Sequence, residues 1–121
     1  MARIATEVVD DVIVFIFQAS TILDEVAVKE VSTELNAYID STTQEFVVLD
    51  LSRVTMMTSA IIGELVKFRK RCEQDKVELA LCGLSKNIAE VFKITRMDKI
   101  FKIYKNREKA IKSFKRKGLP R

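Results

Sequence analysis

Histidine and tryptophan are absent from this 121-residue sequence, glycine occurs three times, cysteine twice and proline once. Without an imidazole there is no general base for Ser–His or Cys–His nucleophile systems. Carboxylate-only chemistry stays open, but no pair of acidic residues stands apart from ordinary surface positions. The two cysteines, Cys72 and Cys82, have no histidine to complete a Cys/His zinc set. Both fall in apolar patterns, so buried filler is favoured over a redox role; no metal or cofactor is expected. With so little Gly and Pro, little of the chain is disordered linker. The longest purely apolar run, Val12 to Phe17, is far short of the roughly 20 residues of a membrane helix. The N-terminal MARIATEVVDD turns acidic where a signal peptide carries its apolar region. No membrane insertion, a cytoplasmic location and reduced thiols are the expectations.

What is present suits one domain over residues 1–121: 48% hydrophobic residues for a core and 31% charged residues for the surface. Much of the formal net charge of +4 comes from Lys109, Lys112, Lys115, Arg116, Lys117 and Arg121, with a basic tail from about residue 115. No aromatic residues are interleaved there for base stacking, so a solvated helix and tail is favoured over direct nucleic-acid contact. Lys93, Arg96, Lys99 and Lys102 surround the last crossover and could meet an acidic partner surface or form a plain exposed face. Gly63 and Gly83 are isolated and read as a close helix contact and a strand end, not as a phosphate loop.

Along the chain, Ile4 to Val9 and Val12 to Phe17 are apolar runs split by Asp10-Asp11, which suits a hairpin. Gln18 to Asp24 reads as loop. Asp24 or Glu25 opens a helix whose inner stripe is Val28, Val31, Leu35 and Ile39. Phe46 to Leu51 is a continuous apolar run, the pattern of a central parallel strand covered on both faces. A second helix runs from about Ser59 to Glu73 with Ile61, Leu65, Phe68 and Cys72 inward. Val77 to Cys82 is the next strand. Ser85 caps a short helix, Ile100 to Tyr104 is a last strand, and Asn106 to Phe114 a last helix. The order β-β-α-β-α-β-α-β-α implies an α/β fold with a mainly parallel sheet of about five strands and four helices.

Thr58-Ser59 at the start of the second helix is the pair on which function turns. A serine there is an ordinary cap, and also a good seat for a phosphate, because free N–H groups and the helix dipole favour negative charge. Met56 and Met57 precede it; strand alternation buries one and exposes the other, and Met suits adaptable binding surfaces.

A strand followed by Asp50–Ser59 (DLSRVTMMTS) and an apolar helix, together with GLSKNIAEVFKITRMDKIFKIYKNREKAI from Gly83 to Ile111, resembles the STAS domain of bacterial anti-sigma-factor antagonists. The resemblance covers most of the chain, and the combined pattern is specific where neither half alone would be. It implies a STAS-like mixed sheet and a partner that is both an ATP-dependent serine kinase and an anti-sigma factor. It further implies phosphorylation of Ser59, with Thr58 as the alternative, and reversal by a metal-dependent, PP2C-type phosphatase. The contact surface would include Leu23, Asp24, Met57, Thr58, Ser59 and Ile62. The protein would not be an enzyme, and would be a monomer or weak dimer. The chain departs from the family pattern in having Thr58 where Asp usually precedes the serine, and Thr21-Ile22 where Gly-x precedes Leu-Asp. A non-switching STAS module in a transporter or signalling scaffold is the alternative, and a nucleotide-binding domain a weaker one.

Overall fold

Alternating strands and helices wind into a five-stranded sheet in the computed structural model, which describes residues 4–41 and 43–115. The strands and helices are β1 (Ile4–Val9), β2 (Val12–Phe17), β3 (Thr21–Ile22), α1 (Glu25–Ser41), β4 (Phe46–Asp50), β5 (Met56–Met57), α2 (Ser59–Gln74), β6 (Glu78–Cys82), α3 (Lys86–Ile94), β7 (Ile103–Tyr104) and α4 (Arg107–Lys115). The main sheet has the order β1-β2-β4-β6-β7. Its first pair is antiparallel and the rest are parallel. The basic tail expected beyond about residue 115 lies outside the described residues.

The hairpin turns on Asp10 and Asp11, both at positive φ (52° and 65°). That is the geometry a two-residue hairpin loop needs, and Asp tolerates it better than most residues. β4 lies at the centre of the sheet, as its continuous apolar run implies. Its alternate residues serve two cores. Val47 and Leu49 join Phe15, Phe17, Leu81 and the inner stripes of α1, α2 and α3 on one face. Val48 joins Val12, Val14, Ala80 and Cys82 under Ala110, Ile111 and Phe114 of α4 on the other. Cys72 and Cys82 are free and buried, one in each core. Burial pushes both thiols up to about 12, so neither is a thiolate near neutral pH.

Three expectations need correction. The Gln18–Asp24 loop contains a strand: Thr21 pairs with Met56 and Ile22 with Met57 in a separate two-stranded parallel sheet. The last strand is only Ile103–Tyr104, because Arg96 turns left-handed (φ 63°) after α3 and leads into a 3-10 turn at Met97–Lys99. The N–H groups of Ile100 and Phe101 donate back to the Met97 carbonyl, so neither is available to the sheet. Gly63 makes no close helix contact; a Cβ there would meet nothing within 4 Å. Gly83, by contrast, ends β6 at φ 72° with Ser52 packed against it.

One buried charge ties the fold together. Asp50 ends β4 at 6% exposure. Its Oδ1 accepts from the Ser52 N–H at 3.0 Å, and its Oδ2 from Arg107 Nη2 at 3.0 Å. Arg107 Nη1 also donates to Glu7 at 3.1 Å, joining α4 to the hairpin. Burial alone would raise the Asp50 pKa. The Ser52 hydroxyl and N–H and the Arg107 guanidinium outweigh it and hold the carboxyl below its ordinary value of 3.8. The unfolded chain therefore binds the proton more readily than the folded one. The stability Asp50 contributes is complete above the unfolded value near 3.8 and disappears as pH falls through the lower folded value. Asp50→Asn is expected to remove that part of the pH dependence, seen as a flatter fall in melting temperature below about pH 4 in a calorimetric titration.

Candidate functional site

The β3–β5 pair brings the two segments of interest together. The Thr55 N–H and hydroxyl both donate to the Ser20 carbonyl, at 2.8 and 3.0 Å, and the Thr58 N–H donates to the Ile22 carbonyl at 3.2 Å. The turn after β3 carries Leu23 and Asp24, and the turn after β5 carries Thr58 and Ser59. Stitching the strands places all four on one open groove of about 610 Å³, shared with Glu25, Ser32 and Glu64 on the facing helices. Both α1 and α2 begin at this groove. Asp24 caps α1, its Oδ1 accepting from the Ala27 N–H at 2.7 Å. Farther along, the Ser32 hydroxyl reaches Glu64 at 3.4 Å across the two helices.

The helix-cap reading of Ser59 does not hold. Thr58 occupies the N-cap position, with extended backbone (φ −88°, ψ 165°), and Ser59 is the first residue of α2. Thr58 does not cap with its side chain: the hydroxyl is buried and has no hydrogen-bond partner among the described residues. Ser59 is exposed and so is the following Ala60. An acceptor at Ser59 therefore faces solvent on a helix start whose N-cap hydroxyl satisfies none of the free N–H groups.

The structure divides the remaining candidates. Leu23 is half exposed and Asp24 is exposed, both on the groove. Met57 is partly buried and packs on the larger core, while Met56 is 53% exposed. Ile62 is only 5% exposed and belongs to the core, so it cannot form the contact surface expected of it. The period of α2 explains this: Ile61, Leu65, Phe68 and Cys72 set the inward stripe, and Ile62 sits at its margin. Residues that sequence reasoning passed over as site residues are Ala60, Glu64 and Ser32, which line the groove. The i, i+4 relation of Ala60 to Glu64 on α2 was the available signal. Among the described residues no cluster of His, Cys, Asp or Glu could hold a metal ion, and no helix is long and apolar enough to cross a membrane.

Residues 3–110 match the family model of the STAS domain. The chain belongs to the STAS domain family. A relative from Bordetella bronchiseptica, BtrV, named as a candidate anti-sigma factor antagonist, is 36% identical over 93 residues, which is 77% of this chain and 78% of BtrV. Among solved structures, a STAS domain protein from Planctomyces limnophilus, titled an anti-sigma-factor antagonist, is 27% identical with a TM-score of 0.80, over 93% of this chain and 98% of that one. The Bacillus protein SpoIIAA, solved in its phosphorylated form, has the same fold at 16% identity, with a TM-score of 0.67 over 92% of this chain and 98% of that one. The mixed five-stranded sheet with four helices is thus the STAS fold, as the sequence pattern implied.

Proposed function

We propose that this STAS domain is an anti-sigma-factor antagonist in a partner-switching pathway, acting by binding and not by catalysis. Its partner is an ATP-dependent serine kinase that also serves as the anti-sigma factor, and a PP2C-type phosphatase restores the binding form. The observation that carries the reading is the exposed Ser59 at the first position of α2, beside Leu23 and Asp24 on one groove. A phosphoryl group adds about −1.5 to −2 charges. The helix dipole tolerates that charge in the free protein. Covered by a partner, the same charge must be desolvated on a groove whose lining holds three carboxylates, Asp24, Glu25 and Glu64, and one cation, Lys29. One modification then spares the fold and removes the contact.

A phosphorylated neighbour of the same fold agrees with such chemistry, as does the relative named for antagonism of an anti-sigma factor. A second reading places the phosphate on Thr58. Its favouring observation is the orphaned Thr58 hydroxyl, since a buried polar atom without a partner is costly to keep unless it has a use. The two readings separate by intact mass after incubation with the kinase and ATP. Wild type and Thr58→Val are expected to gain one phosphate and Ser59→Ala none. The opposite pattern moves the site to Thr58, and no gain in any form removes the switch and leaves a non-switching STAS module. Because its hydroxyl is buried without a partner among the described residues, Thr58→Val is also expected to raise folding stability by about 1–3 kcal/mol in denaturant titration.

A further inference from the structure

Charge is unevenly placed along this chain. The stretch from Lys105 to Arg121 holds eight of the 21 cations and one of the 17 acids, leaving 13 cations and 16 acids elsewhere: +7 against −3. α4 carries the described part of that stretch. Its apolar residues Ala110, Ile111 and Phe114 are buried on the sheet face opposite α1, α2 and α3. Lys109 and Lys112, at i and i+3 and so on one side of the helix, line a pocket of about 280 Å³ with Tyr104 and Ser113. No acid is among the described residues lining it. Both lysines are exposed and make no ion pair among the described residues, whereas Arg107 is held by Asp50 and Glu7, and Lys115 by Asp10. The Ser113 hydroxyl donates to the Ala110 carbonyl at 2.6 Å, so the two ammonium groups are the charged donors this pocket offers.

We propose that this pocket binds the phosphate of an anionic lipid head group and holds the chain against a negatively charged membrane surface. The chemistry of the face selects that ligand. A protein partner needs apolar anchors, and lysine is depleted at such interfaces; none of the large apolar side chains exposed among the described residues lies on α4. A nucleic acid is held by cations that track its backbone and by aromatic rings open to stacking. Here two unpaired cations meet at one pocket, and the half-buried Tyr104 packs against the smaller core. Attraction between basic side chains and an anionic leaflet falls away within a Debye length, so the attachment is salt-sensitive, and it needs no inserted segment. The Ser59 groove is lined by α1 and α2, on the other side of the sheet from α4, so attachment through α4 leaves that groove uncovered.

The test is flotation of the full chain with vesicles of equal parts phosphatidylglycerol and phosphatidylcholine, beside vesicles of phosphatidylcholine alone, at low and high salt. Wild type is expected to float with the anionic vesicles at low salt and with neither kind at high salt. Lys109→Glu/Lys112→Glu is expected to weaken that binding at least tenfold with an unchanged melting temperature, since both side chains are exposed. Lys67→Glu/Lys70→Glu changes the net charge equally from exposed positions on α2 and is expected to bind within twofold of wild type. The proposal is overturned if wild type ignores the anionic vesicles or binds both kinds alike. Equal losses in the two variants overturn it as well, because net charge and not the pocket would then govern binding. Tighter binding to duplex DNA of random sequence, lost in Lys109→Glu/Lys112→Glu, overturns it in favour of a nucleic-acid phosphate.

Discussion

Ser59→Asp is expected to lower affinity for the kinase at least 100-fold while leaving the melting temperature unchanged or slightly raised. The two halves of that result have separate causes. In the free protein the new carboxylate sits at the first position of α2, on an exposed surface. Acidic residues there gain about 0.3–1 kcal/mol from the helix dipole. The nearby carboxylates of Asp24, Glu25 and Glu64 on the groove offset part of that gain. In the proposed complex, partner surface would cover the groove and the charge would lose its water. An uncompensated buried charge costs about 3–5 kcal/mol, and 1.4 kcal/mol is a factor of ten. Ser59→Ala carries no charge and is expected to bind like wild type. Calorimetric titration of the kinase into each variant, beside thermal melts, reads both halves. A fall in melting temperature large enough to explain lost binding would show that Ser59 is structural.

Gly83→Ala is expected to destabilise the fold by about 2–4 kcal/mol, although it adds only a methyl group. Gly83 lies at φ 72°, a region that costs a residue with a Cβ about 1–2 kcal/mol. The added Cβ would stand 2.9 Å from Ser52 Cβ and 3.1 Å from Ser52 N and Cα. Those last two are backbone atoms and cannot swing away. Ser52 is also held by its N–H bond to Asp50 at 3.0 Å, so a shift there strains the buried Asp50–Arg107 pair. For a chain of this size the loss corresponds to a fall in melting temperature on the order of 10 °C. Ser52 begins the segment that leads to β5 and Ser59, so the surviving folded protein is also expected to bind the kinase more weakly. A melting temperature within about 2 °C of wild type would show that the turn yields more easily than its geometry implies.

Elements whose residues pack on their own neighbours were legible in the sequence. The stripe Val28, Val31, Leu35, Ile39 of α1 and the stripe Ile61, Leu65, Phe68, Cys72 of α2 are buried as their spacing implied. Ser85 caps α3, its hydroxyl accepting from the Ile88 N–H at 3.3 Å. The β3–β5 pair was not legible, because two-residue strands have no periodicity and exist only through bonds between segments about 35 residues apart, such as Thr55 to Ser20. The candidate site depends on that pair, so sequence alone named Leu23, Asp24, Thr58 and Ser59 without showing why they meet. Alternation required one exposed methionine but could not say which; the register of β5 on β3 leaves Met56 in water and turns Met57 to the core. Ile62 misled because an apolar residue on the flank of a helix stripe reads alike whether a partner or the core covers it. The Asp50–Arg107 pair spans 57 positions and left no local trace.

The most direct measurement starts from a preformed complex of the kinase and its sigma factor, with fluorescence anisotropy reporting the bound sigma factor. Adding the unmodified chain is expected to release the sigma factor in a saturable manner. Adding the same chain carrying phosphate on Ser59 is expected to leave the complex intact over the same concentrations. Equal release by both forms, or none by either, would contradict a phosphate-controlled antagonist.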